Sequence, residues 1–393
     1  MQLFYYWQSG RTYKSNMEAI LSRFFRWLGT GIIVLILLWM LLGFMGGTAT
    51  AGFKIQDGIL LDGNDIPFVM RGVNHPHVWY TNKTQKAVSD MASVGVNAVR
   101  VVLGSGSQWG PTPASEVVNI IEQLKGRKMI AILEVHDCTG YGENDKAAHL
   151  SAAVDYWLNI QDVLKGEEDY VIINIANEPL GDNVATTTWA NIHMRAINRL
   201  RKAGLTHTLM VDAANWGQDW EQIMLNDAPQ VFYSDPQRNV LFSVHMYEVY
   251  NTYSIIDDYI STFVNQLKLP LVIGEFGADH QGEDVDEASI MELANRYRIG
   301  YLGWSWSGNS DQVQTLDITI DFKADDLSLW GDFLINSING IRNSAEPASV
   351  FGGNPMDTAT NLTSPTTSDT KDSANFVGCG DTNQAFGGVD KRQ

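Results

Sequence analysis

The sequence predicts an α/β fold, a closed (β/α)8 TIM barrel with a short N-terminal hairpin. Short, strongly apolar runs alternate with amphipathic segments of helical period, and we count eight rounds from residue 53 onward. Continuous apolar runs of this length are typical of parallel strands that are buried on both faces. Eight strand–helix units close such a sheet into a barrel.

The strand candidates are runs of apolar, often β-branched residues. They are residues 68–74, 97–103, 129–135, 170–176, 207–213, 240–246, 269–275 and 300–306. The helix candidates lie between them and after the last one, at 84–94, 114–126, 147–164, 186–203, 218–225, 255–267, 286–297 and 329–338. Residues 53–66 carry Asp57-Gly58 and Asp62-Gly63 as turns, so this stretch is predicted to form the hairpin and to plug the barrel floor.

The first 51 residues have the features of an export signal. Arg23 and Arg26 precede an apolar run at 31–45, and Ala49-Thr50-Ala51 matches the small-x-small pattern of a signal-peptidase site. A cleaved signal peptide is expected, with Met17 as an alternative start. If cleavage fails, residues 31–47 would serve as a membrane anchor. Both alternatives export the domain at 52–351, so a secreted or membrane-anchored protein is expected.

The composition changes after residue 351. Residues 352–375 are rich in Thr, Ser, Asp and Asn and nearly free of large apolar side chains. The whole segment 352–393 is therefore predicted to be a disordered tail or linker.

Charge and cysteine content exclude several classes of function. The formal net charge is −18, which disfavours nucleic acid and anionic membrane surfaces as partners and leaves a neutral polymer open. Cys138 and Cys379 are the only cysteines, so neither a disulfide framework nor a cysteine metal site is indicated. A monomer is expected.

Two of the predicted strands end in a carboxylate. The run at 171–176 opens into Asn177, Glu178 and Pro179, and the run at 269–274 ends in Glu275. Glu178 alone is equally well explained as a helix cap. A second glutamate at the same edge of the sheet favours catalysis, because glycoside hydrolysis uses a pair of carboxyl groups.

Most other strand ends are also polar, which barrel packing does not require. They carry His75, His77, Trp79, Arg100, Glu134, His136, Asp137, Asp212, Asn215, Trp216, His245, Tyr247, Trp304 and Trp306. Four of these are histidines that could cluster, but the sequence has no HExxH and no zinc-ligand spacing, so neither a catalytic metal nor a cofactor is expected. No GxSxG motif is present, which disfavours serine nucleophile chemistry.

Several of these motifs together resemble glycoside hydrolase family 5 of clan A. They are VIINIANEP (171–179), SVHMY (243–247), VIGEFG (272–277), GWSWSGN (303–309) and EVHD (134–137). Three further stretches resemble the bacterial endo-β-1,4-mannanase branch: FVMRGVNHPHVWY (68–80), MVDAANWGQDW (210–220) and DVDEASIM (284–291).

The resemblance implies a role for each matching residue. Glu178 would be the acid/base and Glu275 the nucleophile of a retaining mechanism. Substrate-binding or positioning roles would fall to Arg100, His136, Asn177, His245, Tyr247 and Trp304, and neighbouring sugar subsites to Trp79, Trp109 and Trp216. One departure is Pro179-Leu180, where many mannanase relatives have Trp directly after the acid/base; this favours the glucan-cleaving relatives slightly.

Three functions therefore remain open at this stage. The resemblance favours a secreted endo-β-1,4-mannanase acting on plant mannan, glucomannan or galactomannan. The alternatives are an endo-β-1,4-glucanase on the same scaffold and a non-catalytic carbohydrate-binding barrel, although a pure binder has no need of a nucleophile held by an arginine.

Overall fold

The computed structural model describes residues 52–352. The expected export signal at 1–51 and nearly all of the expected tail lie outside this range. Within it, no helix is long and apolar enough to cross a membrane.

Eight parallel strands form a closed barrel in which each strand pairs with the next one along the chain and the last pairs with the first. The barrel strands are β3 (Arg71–His75), β4 (Ala98–Leu103), β5 (Ile130–Val135), β6 (Val171–Asn174), β7 (Leu209–Asp212), β8 (Val240–Met246), β9 (Leu271–Phe276) and β12 (Gly300–Gly303). The predicted barrel is therefore confirmed, and β8 has the predicted bounds. The other strands differ at their ends by one to three residues.

Six short strands outside the barrel form three antiparallel hairpins. They are β1 (Lys54–Gln56) with β2 (Ile59–Leu61), β10 (Asp279–His280) with β11 (Glu283–Asp284), and β13 (Thr319–Ile320) with β14 (Lys323–Leu327). The α-helices are Thr84–Ser93, Ala114–Lys125, Leu150–Asn159, Gln161–Leu164, Thr187–Lys202, Ile223–Ser234, Tyr253–Ser261, Glu287–Tyr297, Leu329–Asn336 and Ile341–Ser344, and Thr262–Leu267 is a π-helix.

The first hairpin closes the barrel floor, as predicted. Asp57 and Gly58 both have positive φ, at 52° and 77°, which is the type I′ geometry that fits the twist of a two-residue hairpin. Phe53 and Leu60 pack with Met70 and other side chains from the barrel interior. The lower barrel is therefore an apolar core.

The upper barrel interior is polar because polar residues follow apolar ones on the inward-facing positions of the strands. On β5, for example, Ile130 and Ile132 belong to the interior apolar cluster, and Glu134 is the next residue on the same face. The outward-facing positions pack against the helices in a separate, larger cluster.

One helix prediction was wrong. Residues 218–222 form a loop, and the helix begins at Ile223 and continues to Ser234. Asp219 explains the displacement, because its carboxylate accepts the backbone N–H groups of Met224 and Leu225 at 2.8 and 3.0 Å. These are free donors at the start of a helix, so the helix begins five residues later than the apolar pattern indicated.

Candidate active site

Glu178 lies just beyond β6 in a strained backbone conformation. Its φ is 37°, a region that non-glycine residues rarely occupy and that costs about 1–3 kcal/mol. The Glu178 N–H donates to Asp212 Oδ2 at 3.2 Å, and the preceding Asn177 N–H donates to the Val135 carbonyl at 2.9 Å. These bonds fix the turn that directs the Glu178 side chain into the cleft.

Glu275 reaches the interior through a bulge in β9. Val244 of β8 pairs with Ile273, but the next residue, His245, pairs with Glu275, so Gly274 is an extra residue. Ile273 packs in the outer layer, and strict alternation would turn Glu275 outward as well. Only glycine fits at the bulge, because a Cβ on residue 274 would overlap Ser243 Oγ and lie 3.2 Å from His245 Nε2.

The two glutamates face each other across a short gap. A carboxylate oxygen of Glu178, one of Glu275 and a ring nitrogen of His245 all lie within 4.8 Å of one another. Both glutamates are buried, with 9% and 3% of their surface exposed. Residues from β6 and β9 are thus brought to one point of the barrel.

Arg100, on β4, donates hydrogen bonds to the residues around the two glutamates. Its guanidinium donates to Glu275 Oε1 at 2.8 Å, Asp212 Oδ2 at 3.0 Å and Asn177 Oδ1 at 2.7 Å. The remaining bonds go to Asn174 Oδ1 at 2.7 Å and Asn74 Oδ1 at 3.0 Å. All five N–H directions of a fully buried guanidinium are used in this fork-like arrangement.

Tyr247 completes the environment of Glu275. Its hydroxyl donates to Glu275 Oε2 at 2.8 Å, so each oxygen of the carboxylate has its own donor. Burial raises the pKa of Tyr247 well above its ordinary value, and the negative charge of Glu275 acts in the same direction. Tyr247 therefore remains a donor over the whole practical pH range.

The acid/base candidate is biased toward its protonated form. Burial raises the pKa of Glu178, the charge of Glu275 adds to this, and the hydrogen bond from His245 partly opposes it. His245 Nδ1 lies 2.8 Å from Glu178 Oε1. Although burial works against ionisation of Asp212, Arg100 and His245 hold the pKa of that carboxyl far below its usual range.

His245 is a cation in this setting. Burial alone would lower its pKa, but the carboxylates of Glu275 and Asp212 raise the pKa to about 10. The Nε2 atom lies 3.4 Å from Asp212 Oδ2, which is within ion-pair range although the contact lacks hydrogen-bond geometry. The imidazole thus bridges Glu178 and Asp212.

One arm of the cleft is an aromatic wall. Trp304 stacks on His136 with ring centroids 5.8 Å apart, His136 meets the edge of Trp79 at 5.0 Å, and Trp79 meets Trp109 at 5.4 Å. His136 Nδ1 is 3.0 Å from Glu134 Oε1, which orients the ring. Flat apolar faces of this kind suit sugar rings.

The other arm is a cavity of about 420 Å3 that Glu178 itself lines, together with Thr139, Trp216, Gln218, Trp220, Tyr247, Glu248, His280 and Gln281. The indole N–H of Trp216 donates to Glu143 Oε2 at 3.0 Å. The Trp216 ring lies over Gly140, where an added Cβ would overlap it. His280 stacks on Tyr247 at 4.5 Å, and its Nδ1 lies 2.6 Å from Glu248 Oε2.

The structure therefore brings together every residue that the sequence predicted for the site. Arg100, Asn177, Glu178, His245, Tyr247 and Glu275 form the central network, Trp79, His136 and Trp304 form one arm, and Trp216 belongs to the other. Sequence reasoning missed Trp220, Glu248 and His280. Trp220 was part of a quoted motif. Glu248 lies in a loop and His280 in the two-residue strand β10, and no periodicity of the sequence indicates either position.

The histidines do not form one cluster. His75 and His77 both contact Thr84 Oγ1, at 2.9 and 2.7 Å, and none of the three belongs to the network at Arg100. Within residues 52–352, the one group spaced for a metal ion is Glu178, His245 and Glu275. The donor set fits a cation poorly, because both oxygens of Glu275 already accept hydrogen bonds and Arg100 supplies the positive charge.

The departure at Pro179-Leu180 has a structural counterpart. Leu180 is buried in the outer layer, and its carbonyl accepts a hydrogen bond from the backbone N–H of Trp216 at 3.0 Å. The residue thus supports the segment that carries Trp216 instead of lining the cleft.

Comparison with known proteins gives a consistent assignment. The family model "Cellulase (glycosyl hydrolase family 5)" matches residues 61–310. A mannan endo-1,4-beta-mannosidase of Cellvibrio japonicus (strain Ueda107) is 56% identical over 306 residues, which are 78% of this chain and 71% of that protein. One of Streptomyces lividans is 46% identical over 83% of this chain and 85% of its own length.

Solved structures of beta-mannanases also resemble the chain. The mannotriose complex of the Thermomonospora fusca beta-mannanase is 49% identical, covers 77% of this chain and 100% of its own, and has a TM-score of 0.75. A beta-mannanase from Streptomyces thermolilacinus with mannohexaose is 47% identical over 77% and 99%, also with a TM-score of 0.75. With its paired glutamates inside a (β/α)8 barrel, the chain belongs to glycosyl hydrolase family 5 and is a glycoside hydrolase.

Proposed function

We propose that this protein is an exported endo-β-1,4-mannanase that hydrolyses internal bonds of β-mannans by a retaining double displacement. The observation that carries the mechanism is the short gap between the two glutamates, with carboxylate oxygens within 4.8 Å. Retaining glycosidases have their carboxyl groups about 5–5.5 Å apart, whereas inverting enzymes need about 6.5–9.5 Å to admit a water molecule.

The two carboxyl groups have the environments that their roles require. Arg100 and Tyr247 each donate a hydrogen bond to one oxygen of Glu275 and hold the carboxylate in place, and its oxygen attacks the anomeric carbon while the glycosidic C–O bond breaks. Glu178, whose pKa is raised, gives its proton to the leaving oxygen. In the second half-reaction Glu178 takes a proton from water, the water oxygen attacks the anomeric carbon, and Glu275 is released.

Each arm of the cleft then receives one part of the substrate. The arm with Trp79, His136 and Trp304 binds the sugars that become attached to Glu275. Glu178, Trp216 and Trp220 line the other arm, which takes the leaving part because the proton donor must stand next to the leaving oxygen. Asn177 is placed for the 2-hydroxyl, with its Nδ2 now donating to Thr139 Oγ1 at 2.9 Å.

Mannan is the proposed polymer because the relatives that match most of the chain are named for β-mannan hydrolysis. An endo-β-1,4-glucanase is the second candidate, favoured by the name of one relative, "Beta-mannanase/endoglucanase A" of Caldicellulosiruptor saccharolyticus, which is 48% identical over 278 residues. The match covers only 20% of that protein, and its name does not say which of the two activities belongs to the matched part.

A reducing-sugar assay on mannan, glucomannan, galactomannan, carboxymethylcellulose and xylan tests the substrate. We expect turnover on the three mannans to exceed that on carboxymethylcellulose by at least tenfold, about 1.4 kcal/mol in transition-state binding. Faster turnover of carboxymethylcellulose would favour the glucanase. Proton NMR of the first product tests the mechanism, since retention yields the β-anomer and inversion the α-anomer.

Export is proposed from the pattern of Arg23, Arg26, the run at 31–45 and Ala49-Thr50-Ala51. N-terminal sequencing of protein from the culture medium tests it. A start at Gly52 supports cleavage, and activity that stays with the membrane fraction supports the anchor at 31–47.

A further inference from the structure

A second cavity lies beside the active site and takes no part in the network at Arg100. Its volume is about 530 Å3, and helices Ile223–Ser234 and Tyr253–Ser261 both contribute to its lining. We call it the helix groove. Its lining residues are Asp219, Trp220, Gln222, Leu225, Asn226, Val249, Tyr250, Ile255, Asp258, Tyr259, Thr262 and Leu267.

The helix groove is continuous with the leaving-group arm of the cleft. Trp220 lines both cavities and is 40% exposed. The two loops on either side are also shared, because Gln218 and Glu248 line the arm whereas their neighbours Asp219 and Val249 line the groove. The two cavities therefore adjoin at Trp220 and at both of these loops.

The chemistry of the groove suits a neutral sugar chain. Trp220 and the 44%-exposed Ile255 are among the large hydrophobic side chains exposed within residues 52–352. Exposed amide and carboxylate groups of Gln222, Asn226 and Asp258 alternate with these apolar surfaces. A pyranose ring has apolar faces and hydroxyl edges, so it satisfies both kinds of group.

We infer that the helix groove binds the leaving-group end of a long β-mannan chain after that chain has passed over Trp220. This inference rests on the proposed function and extends it, because it assigns a binding site outside the catalytic cleft. The groove adds binding energy only for substrates long enough to reach it. Polymers therefore gain affinity, and short oligosaccharides that fill the cleft alone do not.

The test uses the double variant Asn226→Ala/Ile255→Ala. Both residues line the groove, and neither lines the cavity at Glu178. The matched control is Gln230→Ala/Ile59→Ala, because Gln230 is an exposed amide on the same helix outside the groove and Ile59 is a 50%-exposed isoleucine in the floor hairpin.

For the groove variant, we expect the KM for soluble glucomannan to rise about fivefold, with little change in kcat, since a truncated isoleucine loses contacts worth roughly 1 kcal/mol. The kinetics on mannotetraose should match those of the control. An equal loss on polymer and tetrasaccharide, or no loss on either, would overturn the inference.

Affinity electrophoresis separates failure of the groove from failure of the proposed function. Glu275→Gln protein, with and without the groove substitutions, is run in gels that contain glucomannan. Weaker retardation of the groove variant shows that the groove binds the polymer, whereas absence of β-mannan hydrolysis by the unaltered enzyme would count against the proposed function alone. Equal retardation of both proteins overturns the inference and leaves the groove to a protein partner.

Discussion

Arg100 Nη1 donates to Glu275 Oε1 at 2.8 Å, and both side chains are buried at the point where β4 and β9 face each other inside the barrel. The same guanidinium also donates to Asn177, which precedes Glu178 in the chain, and to Asp212, which accepts the backbone N–H of Glu178. One cation thus contacts the nucleophile directly and holds two residues that position the acid/base.

The first prediction concerns this cation. Arg100→Met leaves Asp212 and Glu275 buried without their counter-charge, and removing one partner of a buried ion pair costs about 3–5 kcal/mol. The free energy of unfolding measured with urea should fall by this amount, and kcat should fall at least 100-fold. Arg201→Met, which breaks the ion pair with Asp235 away from the cleft, is the control. It should lose stability but keep kcat in the remaining folded protein.

The second prediction concerns pH. Burial and the charge of Glu275 raise the pKa of Glu178, so activity should decline on the alkaline side as Glu178 loses its proton. Glu275→Gln removes the like charge, and the pKa of Glu178 should fall toward its ordinary value without reaching it, because burial remains. Carbon-13 NMR titration of the labelled side chain measures both values. An unchanged pKa in Glu275→Gln would contradict coupling between the two carboxyl groups.

The third prediction concerns Tyr247. Tyr247→Phe removes the donor to Glu275 Oε2, and a hydrogen bond to a charged group contributes about 1.5–3 kcal/mol. We expect kcat to fall about tenfold to 100-fold. Tyr156→Phe is the matched control, since Tyr156 is also buried but donates to the Thr112 carbonyl at 2.8 Å, away from both cavities. Similar kcat losses in the two variants would show that Tyr247 acts only through packing.

The fourth prediction concerns the bulge in β9. Gly274→Ala inserts a Cβ against Ser243 Oγ and should destabilise the protein by about 1–3 kcal/mol through overpacking. Because the strand must shift, Glu275 should move and kcat should fall further than the loss of stability explains. Gly110→Ala is the control for stability, since no atom lies within 4 Å of its added Cβ. Full activity in Gly274→Ala would show that the bulge does not aim Glu275.

The sequence by itself determined the barrel, its floor hairpin and the residues at its polar end. Eight runs that are apolar at successive positions predict strands buried on both faces, which is typical of a parallel sheet. A polar residue directly after such a strand lies at the rim of the barrel. For this reason Glu178 and Glu275 could be named without coordinates, whereas Arg100 lies within β4 and its role was indicated by the family resemblance.

Only the tertiary structure decided how these residues act together. The bulge at Gly274 turns Glu275 inward against the two-residue alternation, and Asp219 delays a helix that the apolar pattern started at residue 218. Trp220 reaches the leaving-group arm from a loop, and His280 reaches it from the short β10–β11 hairpin. Hydrophobic periodicity carries information about which face is buried, whereas bulges, caps and loop paths depend on hydrogen bonds between residues far apart in the chain.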